Sequence, residues 1–395
     1  MARLSRSAFP NPDLITTTDA LAALCRRLAD EPFVTIDTEF MRERTYYPEL
    51  CLVQLAGEHE VALVDAVAPS LDLAPLEALL SHPGVVKVFH AARQDVEIFV
   101  QLFGTVPVPM FDTQVAAMVA GFGDQVGYDS LVAGLTGGAI DKAHRFSDWS
   151  ARPLSAAQLE YAAADVTWLR IVYEKLRARL AEDGREDWVA EEMAILSNPG
   201  TYRVDPDTAW ERLKIRGNNR RFVALVRALA AWREQEAQRI NIPRQRLLKD
   251  ETLMEIAAIG PADAEALARA RGITRGFAEG RTGISLLESM TAVLAMPDAS
   301  LPMLPRSRDF VKPSAALVAL LKVLLAARCE EHQVAPKLVA SADDIDRIAM
   351  DGEPDVPALH GWRHDVFGGD ALALREGRVA LGVDGKRIRL IPTAG

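Results

Sequence analysis

The chain has 395 residues, 49% hydrophobic and 25% charged, with a net charge of −10, the balance of a globular protein long enough for two or three domains. No run of 18 apolar residues is free of charge (Pro313 to Cys329 is broken by Lys322), and the first 18 residues carry Arg3 and Arg6 but no apolar core, which argues against a membrane span and a secretory signal. Three cysteines, Cys25, Cys51 and Cys329, are odd in number and far apart, which argues against a disulfide framework or zinc site and for a reducing compartment, the cytoplasm.

In chain order, Thr18-Asp19 reads as a helix cap before a short amphipathic helix over 20–29. Phe33 to Ile36 reads as a strand with Asp37 and Glu39 at its C-terminal end. Residues 51–56 and 61–65 alternate around Gly57-Glu58, as a hairpin does. An apolar strand over 85–89 precedes a helix over 93–103, then Asp112-Thr113 with a helix to 120, another over 130–135, and a long one over 155–180. This order fits a mixed sheet with helices on its faces. Residues 197–206 read as a linker, and the chain beyond is helical to about 296. A second linker holds Pro297, Pro302, Pro305 and Pro313, and a helix is expected over 315–332. Ile242-Pro243-Arg244 and Ala335-Pro336-Lys337 each follow an apolar-rich helix and precede a similar apolar pattern, so two helical modules of one type are expected. At the C-terminal end, residues 371–374, 378–383 and 387–391 alternate as a small antiparallel sheet. The expected domains are 1–196, 207–292 and 312–395.

Charge is uneven along the chain. Between Trp210 and Asp250 stand eleven Lys and Arg residues against four acids. Such a local excess suits a phosphate backbone, and equally a solvated helix face.

The chemistry lies in the first 165 residues. Asp37 and Glu39 are two apart on a strand and point to one face. Tyr161 and Asp165 are four apart on a helix and share a face one turn apart. Asp95 opens a helix just after a strand. Converging carboxylates repel each other unless a divalent cation lies between them, and hard oxygen ligands of this kind suit Mg²⁺ or Mn²⁺. Two such ions about 4 Å apart bind both the attacking and the leaving oxygen of a phosphodiester. Taken singly, Asp-x-Glu after a strand is common and an Asp at a helix start is most often a cap; the weight lies in their joint occurrence.

The blocks Asp37-Thr-Glu-Phe-Met-Arg-Glu-Arg-Thr-Tyr-Tyr-Pro-Glu-Leu-Cys-Leu-Val-Gln54, Phe89-His-Ala-Ala-Arg-Gln-Asp95, Phe111-Asp-Thr-Gln114, and Asp148-Trp-Ser-Ala-Arg-Pro-Leu154 leading to Tyr161-Ala-Ala-Ala-Asp165 resemble the ribonuclease D family. The resemblance implies a ribonuclease-H-like exonuclease domain, of the tyrosine-containing four-acid type, followed by two small helical domains. The first of these resembles a nucleic-acid-binding domain shared with some helicases, and the second a degenerate copy. It implies that Asp37 bridges two metal ions, that Glu39 and Asp165 complete the shell of the first, and that Asp95 holds the second through water. Tyr161 would position the attacking water, with nucleoside 5′-monophosphates released one at a time from a free RNA 3′ end, tRNA precursors foremost. Phe40 is placed against the terminal base or in the core, and Gln54 at the terminal nucleotide or the backbone. Arg216, Arg220 and Arg221 are expected to bind substrate, and Arg42, Arg44, Tyr46, Tyr47, Lys142, His144 and Arg145 to line its path. His90, Trp149 and Trp168 read as core residues. A monomer is expected. Two alternatives stay open: a 3′-to-5′ DNA exonuclease, since the same carboxylates cut either polymer, and a non-catalytic RNA-binding scaffold.

Overall fold

The computed structural model describes residues 12–141, 143–215, 219–301, 313–350, 352 and 354–393. They fall into two compact units that interrupt each other in sequence. One is drawn from Met1–Glu39, Leu50–Thr201 and Val311–Gly395, the other from Phe40–Glu49 and Tyr202–Phe310.

The first unit is built on a six-stranded mixed sheet. Its strands are β1 (Asp13–Ile15), β2 (Phe33–Met41), β3 (Glu49–Ala56), β4 (Val61–Asp65), β5 (Val86–Phe89) and β6 (Met110–Asp112), in the order β1-β4-β3-β2-β5-β6. β3 and β4 form the expected antiparallel hairpin, with Ala56 opposite Val61 and Leu52 opposite Asp65. β1 with β4, β2 with β5, and β5 with β6 run parallel. The near-continuous apolar runs of β4 and β5 are what burial on both faces demands.

Seven helices accompany the sheet: α1 (Thr18–Leu28), α2 (Ala74–Leu80), α3 (Arg93–Phe103), α4 (Thr113–Val119), α5 (Tyr128–Thr136), α6 (Ala156–Glu182) and α7 (Glu186–Leu196). The 27-residue α6 starts sharply because Ser155 and Gln158 form a reciprocal capping box. Its Val172, Leu176 and Leu180 pack with Ala116, Val119, Leu131 and Val132 of α4 and α5. Each such side chain contributes about 1.5–3 kcal/mol on burial.

Residues 313–393 belong to the same unit. Arg185 donates to the carbonyls of Val119, Gln333 and His332 at 2.8, 3.0 and 2.6 Å, and Ala335 N donates to Met118 O at 3.0 Å. Trp188 and Trp362 stack at 4.6 Å. Arg363 and Glu192 form a buried ion pair. At Gly121 (φ +81°) a Cβ would stand 2.6 Å from the Gln333 carbonyl oxygen, so the approach requires glycine.

The second unit has α8 (Arg220–Ile240) at its centre, packed against Pro206–Arg212, Asp250–Ile259 and Arg281–Ala295. Both proline motifs behave alike: a long helix, a short one over Arg244–Leu247 or Pro336–Val339, an extended residue (Leu248, Ala340), then another helix.

Several details differ from the sequence reading. Thr17, not Thr18, caps the first helix. β2 runs on to Met41, so Asp37 and Glu39 lie inside it. Residues 371–374 are helical, within Gly369–Arg375, which leaves a two-stranded hairpin of Val379–Asp384 and Arg387–Pro392. β1, α2 and α7 were not anticipated; the first linker contains a 3-10 turn at Pro199–Tyr202 and leads into another at Pro206–Arg212. Pro302 and Pro305 of the second linker lie outside the described residues.

Candidate active site

The odd-numbered residues of β2 face α6. Phe33 packs with Leu169 and Tyr173, and the Thr35 hydroxyl donates to Val166 O at 2.8 Å. Strand alternation carries Asp37 and Glu39 onto the same face, toward the turn of α6 that bears Tyr161 and Asp165. Asp165 is buried and accepts a hydrogen bond from the Tyr161 hydroxyl. The backbone carbonyl of Asp165 in turn accepts from the Tyr128 hydroxyl.

Asp95 comes from the first turn of α3. It does not cap that helix; its carboxylate accepts from the Thr38 hydroxyl. The turn that delivers it is held by Asp112, whose carboxylate accepts from Ala91 N at 3.0 Å, Ala92 N at 2.9 Å and Gln114 N at 2.8 Å. One side chain thus organises the approach to α3 and caps α4.

Electrostatics ties the four acids into one site. Burial, then the Asp165 charge, raises the Asp37 carboxyl far above the ordinary aspartate range. Burial and the charges of Asp37, Asp165 and Asp95 push Glu39 up to about 10. Burial and the Asp37 charge raise Asp95, and burial raises Asp165 to about 7. Ionised together these groups need positive charge among them. Among the described residues no three His, Cys, Asp or Glu side chains already stand close enough to hold one ion as they are. The donor set nevertheless fits a hard divalent cation: four carboxylates, no sulfur or imidazole, and strong mutual repulsion.

The Tyr161 hydroxyl is raised above its ordinary value by burial and by Asp165, Glu39 and Asp37, so it stays protonated. His144 and Trp149 flank its ring at 6.3 and 6.0 Å. The Trp149 loop is anchored by Arg152, which forks onto Asp65 at 2.9 and 2.6 Å and bonds Cys51 O at 2.9 Å and Trp149 O at 2.7 Å. His90, read as a core histidine, is half-buried: it bonds Thr113 through Nδ1 at 3.0 Å and packs on Tyr128, while its Nε2 has no hydrogen-bond partner; burial lowers its pKa. Trp149 and Trp168 are buried. Gln54, expected at the terminal nucleotide or bonded to backbone, has no exposed surface, and neither of its amide atoms has a hydrogen-bond partner.

Phe40, Arg42, Arg44, Tyr46 and Tyr47 belong to the second unit. There the Tyr46 hydroxyl donates to Glu234 and accepts from Gln238, and the Asn241 side chain accepts from Tyr46 N and Tyr47 N at 3.1 and 3.0 Å.

The basic segment divides in two. Arg221 donates to Val293 O, Leu294 O and Met296 O and pairs with Asp298, which closes the C-terminal end of the helix Arg281–Ala295. Arg220 donates to Leu301 O. Arg233, Arg239 and Arg244 pair with Asp250, Glu236 and Glu234. Among the described residues, Arg212, Lys214, Arg246 and Lys249 are exposed and unpaired. Arg216 and Lys142 lie outside the described residues.

Sequence reasoning gave no role to Thr35, Thr38, Asp112, Tyr128 or Arg152. Thr38, Asp112 and Arg152 stood inside the quoted motif blocks; Thr35 and Tyr128 carried no signal beyond their residue type.

Family models match at residues 12–181, described as 3′-5′ exonuclease, and at 223–289, described as HRDC domain. The chain is 67% identical over 394 residues to ribonuclease D of Granulibacter bethesdensis, covering 100% of both. It is 64% identical to ribonuclease D of Gluconacetobacter diazotrophicus, covering 99% of this chain and 100% of that one. Among solved structures it resembles Escherichia coli RNase D, described as an exoribonuclease involved in structured RNA processing. Identity there is 30% and the TM-score 0.80, over 93% of this chain and 99% of that one.

Proposed function

The chain belongs to the ribonuclease D family of 3′-to-5′ exoribonucleases, and from that premise we propose that Asp37, Glu39, Asp95 and Asp165 hold two divalent cations at the last phosphodiester of an RNA while Tyr161 positions the attacking water. The family's 3′-5′ exonuclease chemistry depends on divalent metal. The observation that carries the assignment is the convergence of four mutually repelling carboxylates from β2, α3 and α6. Bound cations supply charge for the phosphate oxygens and a lower pKa for the water.

The chain's own groups define the rest. Water adds to phosphorus in line with the departing 3′ oxygen of the penultimate nucleotide. That bond breaks, and the last residue leaves as a nucleoside 5′-monophosphate with a new 3′ hydroxyl behind it. Tyr161, kept protonated by burial and then by its carboxylate neighbours, can orient the water by hydrogen bonding but cannot act as its base. Asp95 is presented by α3 and steadied by Thr38. Arg212, Lys214, Arg246 and Lys249 offer phosphate contacts on the second unit, where Arg220 and Arg221 are engaged at helix ends. We take structured RNA, tRNA precursors first, as substrate, on the strength of the Escherichia coli relative's description. Among the described residues no helix is long and apolar enough to cross a membrane.

The test is a time course on 5′-labelled RNA with a 3′ overhang beside DNA of the same sequence, with Mg²⁺, with Mn²⁺ and with EDTA. The reading expects a cation-dependent ladder on RNA, shortening from the 3′ end. Equal or faster shortening of DNA would move the assignment to a DNA exonuclease; no ladder with either metal would favour the scaffold.

A further inference from the structure

Gln54 has no exposed surface, and among the described residues it alone leaves two buried side-chain polar atoms, Nε2 and Oε1, without a hydrogen-bond partner. A buried primary amide in that state is costly to keep. Its position indicates what it awaits. Gln54 shares a face of β3 with Ala56, and Ala56 packs with Ala163 and Val166 of α6. Thr35 of the neighbouring β2 bonds that same Val166. The amide therefore lies in the layer between sheet and α6, beside the strand that carries Asp37 and Glu39. On its other side it meets Leu63 across the hairpin. Asp65, the nearest acid on β4, is already engaged by Arg152. The carboxylates left in this layer are Asp37 and Glu39 of β2 and Asp165 of α6; Asp165 already accepts from the Tyr161 hydroxyl, and Asp37 and Glu39 lie on the strand next to β3.

We propose that Gln54 is a positioning residue of the hydrolytic centre: its amide N–H donates to the Asp37 carboxylate and fixes that carboxylate's orientation toward the cation. The role rests on the cation site proposed above. Metal-ligating carboxylates are commonly oriented by such outer hydrogen bonds. The absence of exposed surface puts the amide behind the carboxylates rather than on the path of RNA.

The test uses the full chain, titrated with Mn²⁺ alone and followed by thermal unfolding, for the parent, Gln54→Met, Gln54→Leu and Asp37→Asn. The expected result is that the near-isosteric Met variant melts at or above the parent in EDTA, because an unsatisfied amide has gone. It then needs about 10- to 100-fold more Mn²⁺ for the same stabilisation, and its kcat on RNA falls while KM is unchanged. The Leu variant, which removes the same amide, is expected to shift the Mn²⁺ midpoint likewise. A Met variant that melts lower in EDTA yet keeps the parent's Mn²⁺ midpoint would overturn the role and make the amide purely structural. No stabilisation of the parent by Mn²⁺, or undiminished stabilisation of Asp37→Asn, would instead bring down the cation site itself, and this inference with it.

Discussion

The Thr35 hydroxyl donates to the Val166 carbonyl at 2.8 Å. That bond links the strand bearing Asp37 and Glu39 to the helix bearing Tyr161 and Asp165, one residue away from Asp165 itself. Thr35→Val keeps the shape and removes the link. The expected cost in stability is about 1 kcal/mol, read by urea unfolding, with a disproportionate loss of kcat because α6 is then free to shift against β2. A loss of stability with unchanged kcat would show that other packing sets the helix position.

Proton linkage gives a second prediction. Glu39 and Asp165 are raised from 4.5 to about 10 and from 3.8 to about 7 by burial, with neighbouring carboxylates adding to Glu39. In the unfolded chain they ionise near pH 4, while the folded cation-free protein keeps their protons. Folded protein then binds more protons than unfolded, so this contribution to stability falls as pH rises from about 4 to 10. Glu39→Gln removes one such group. In EDTA it should melt above the parent, with a margin that widens with pH, and added Mg²⁺ should narrow the margin. A margin independent of pH would mean that Glu39 is not raised.

Arg221 and the exposed cations should behave differently. Arg221→Ala opens the C-terminal end of Arg281–Ala295 and should cost about 1 kcal/mol, with the salt dependence of RNA binding unchanged. Lys214→Ala, Arg246→Ala and Lys249→Ala together should leave stability alone and flatten the salt dependence by about one unit of slope for each phosphate these cations neutralise. Filter binding across a salt series separates the two, and a flatter slope in Arg221→Ala would reverse the assignment.

Residues 313–393 are joined to α7 of the exonuclease domain through the Arg363–Glu192 ion pair and the Trp188–Trp362 stack. Removing Arg363 leaves Glu192 buried without its charge partner. Arg363→Ala should therefore cost about 3–5 kcal/mol, and a chain ending at Leu301 should lose cooperative unfolding of its exonuclease domain. A truncated chain as stable as the parent would show that the segment is merely appended.

The sequence made the site legible because chemistry fixes its residue types: a carboxylate pair at strand spacing and a tyrosine–aspartate pair at helix spacing keep their meaning without long-range information. What holds those residues was not legible. Thr35 and Val166 are 131 residues apart, Arg152 and Asp65 are 87 apart, and no local pattern announces such a bond. The internal partners of the basic segment were illegible for the same reason: charge density was visible, but the carbonyls that engage Arg221 lie more than 70 residues on. Residues 371–374 were read as a strand because four residues cannot separate a period of 2 from one of 3.6; Ala and Leu, strong helix formers, decided it. Likewise β1 has three residues and exists only through its parallel pairing with β4.

The most direct test of the central claim is single-turnover cleavage of 5′-labelled RNA in Mg²⁺ by the parent, Asp37→Asn and Tyr161→Phe, each with its melting temperature in EDTA. The account predicts that both variants fold, that Asp37→Asn melts at or above the parent because carboxylate repulsion is relieved, and that each loses at least about 100-fold in rate. Near-parental cleavage by a folded Asp37→Asn variant would contradict it.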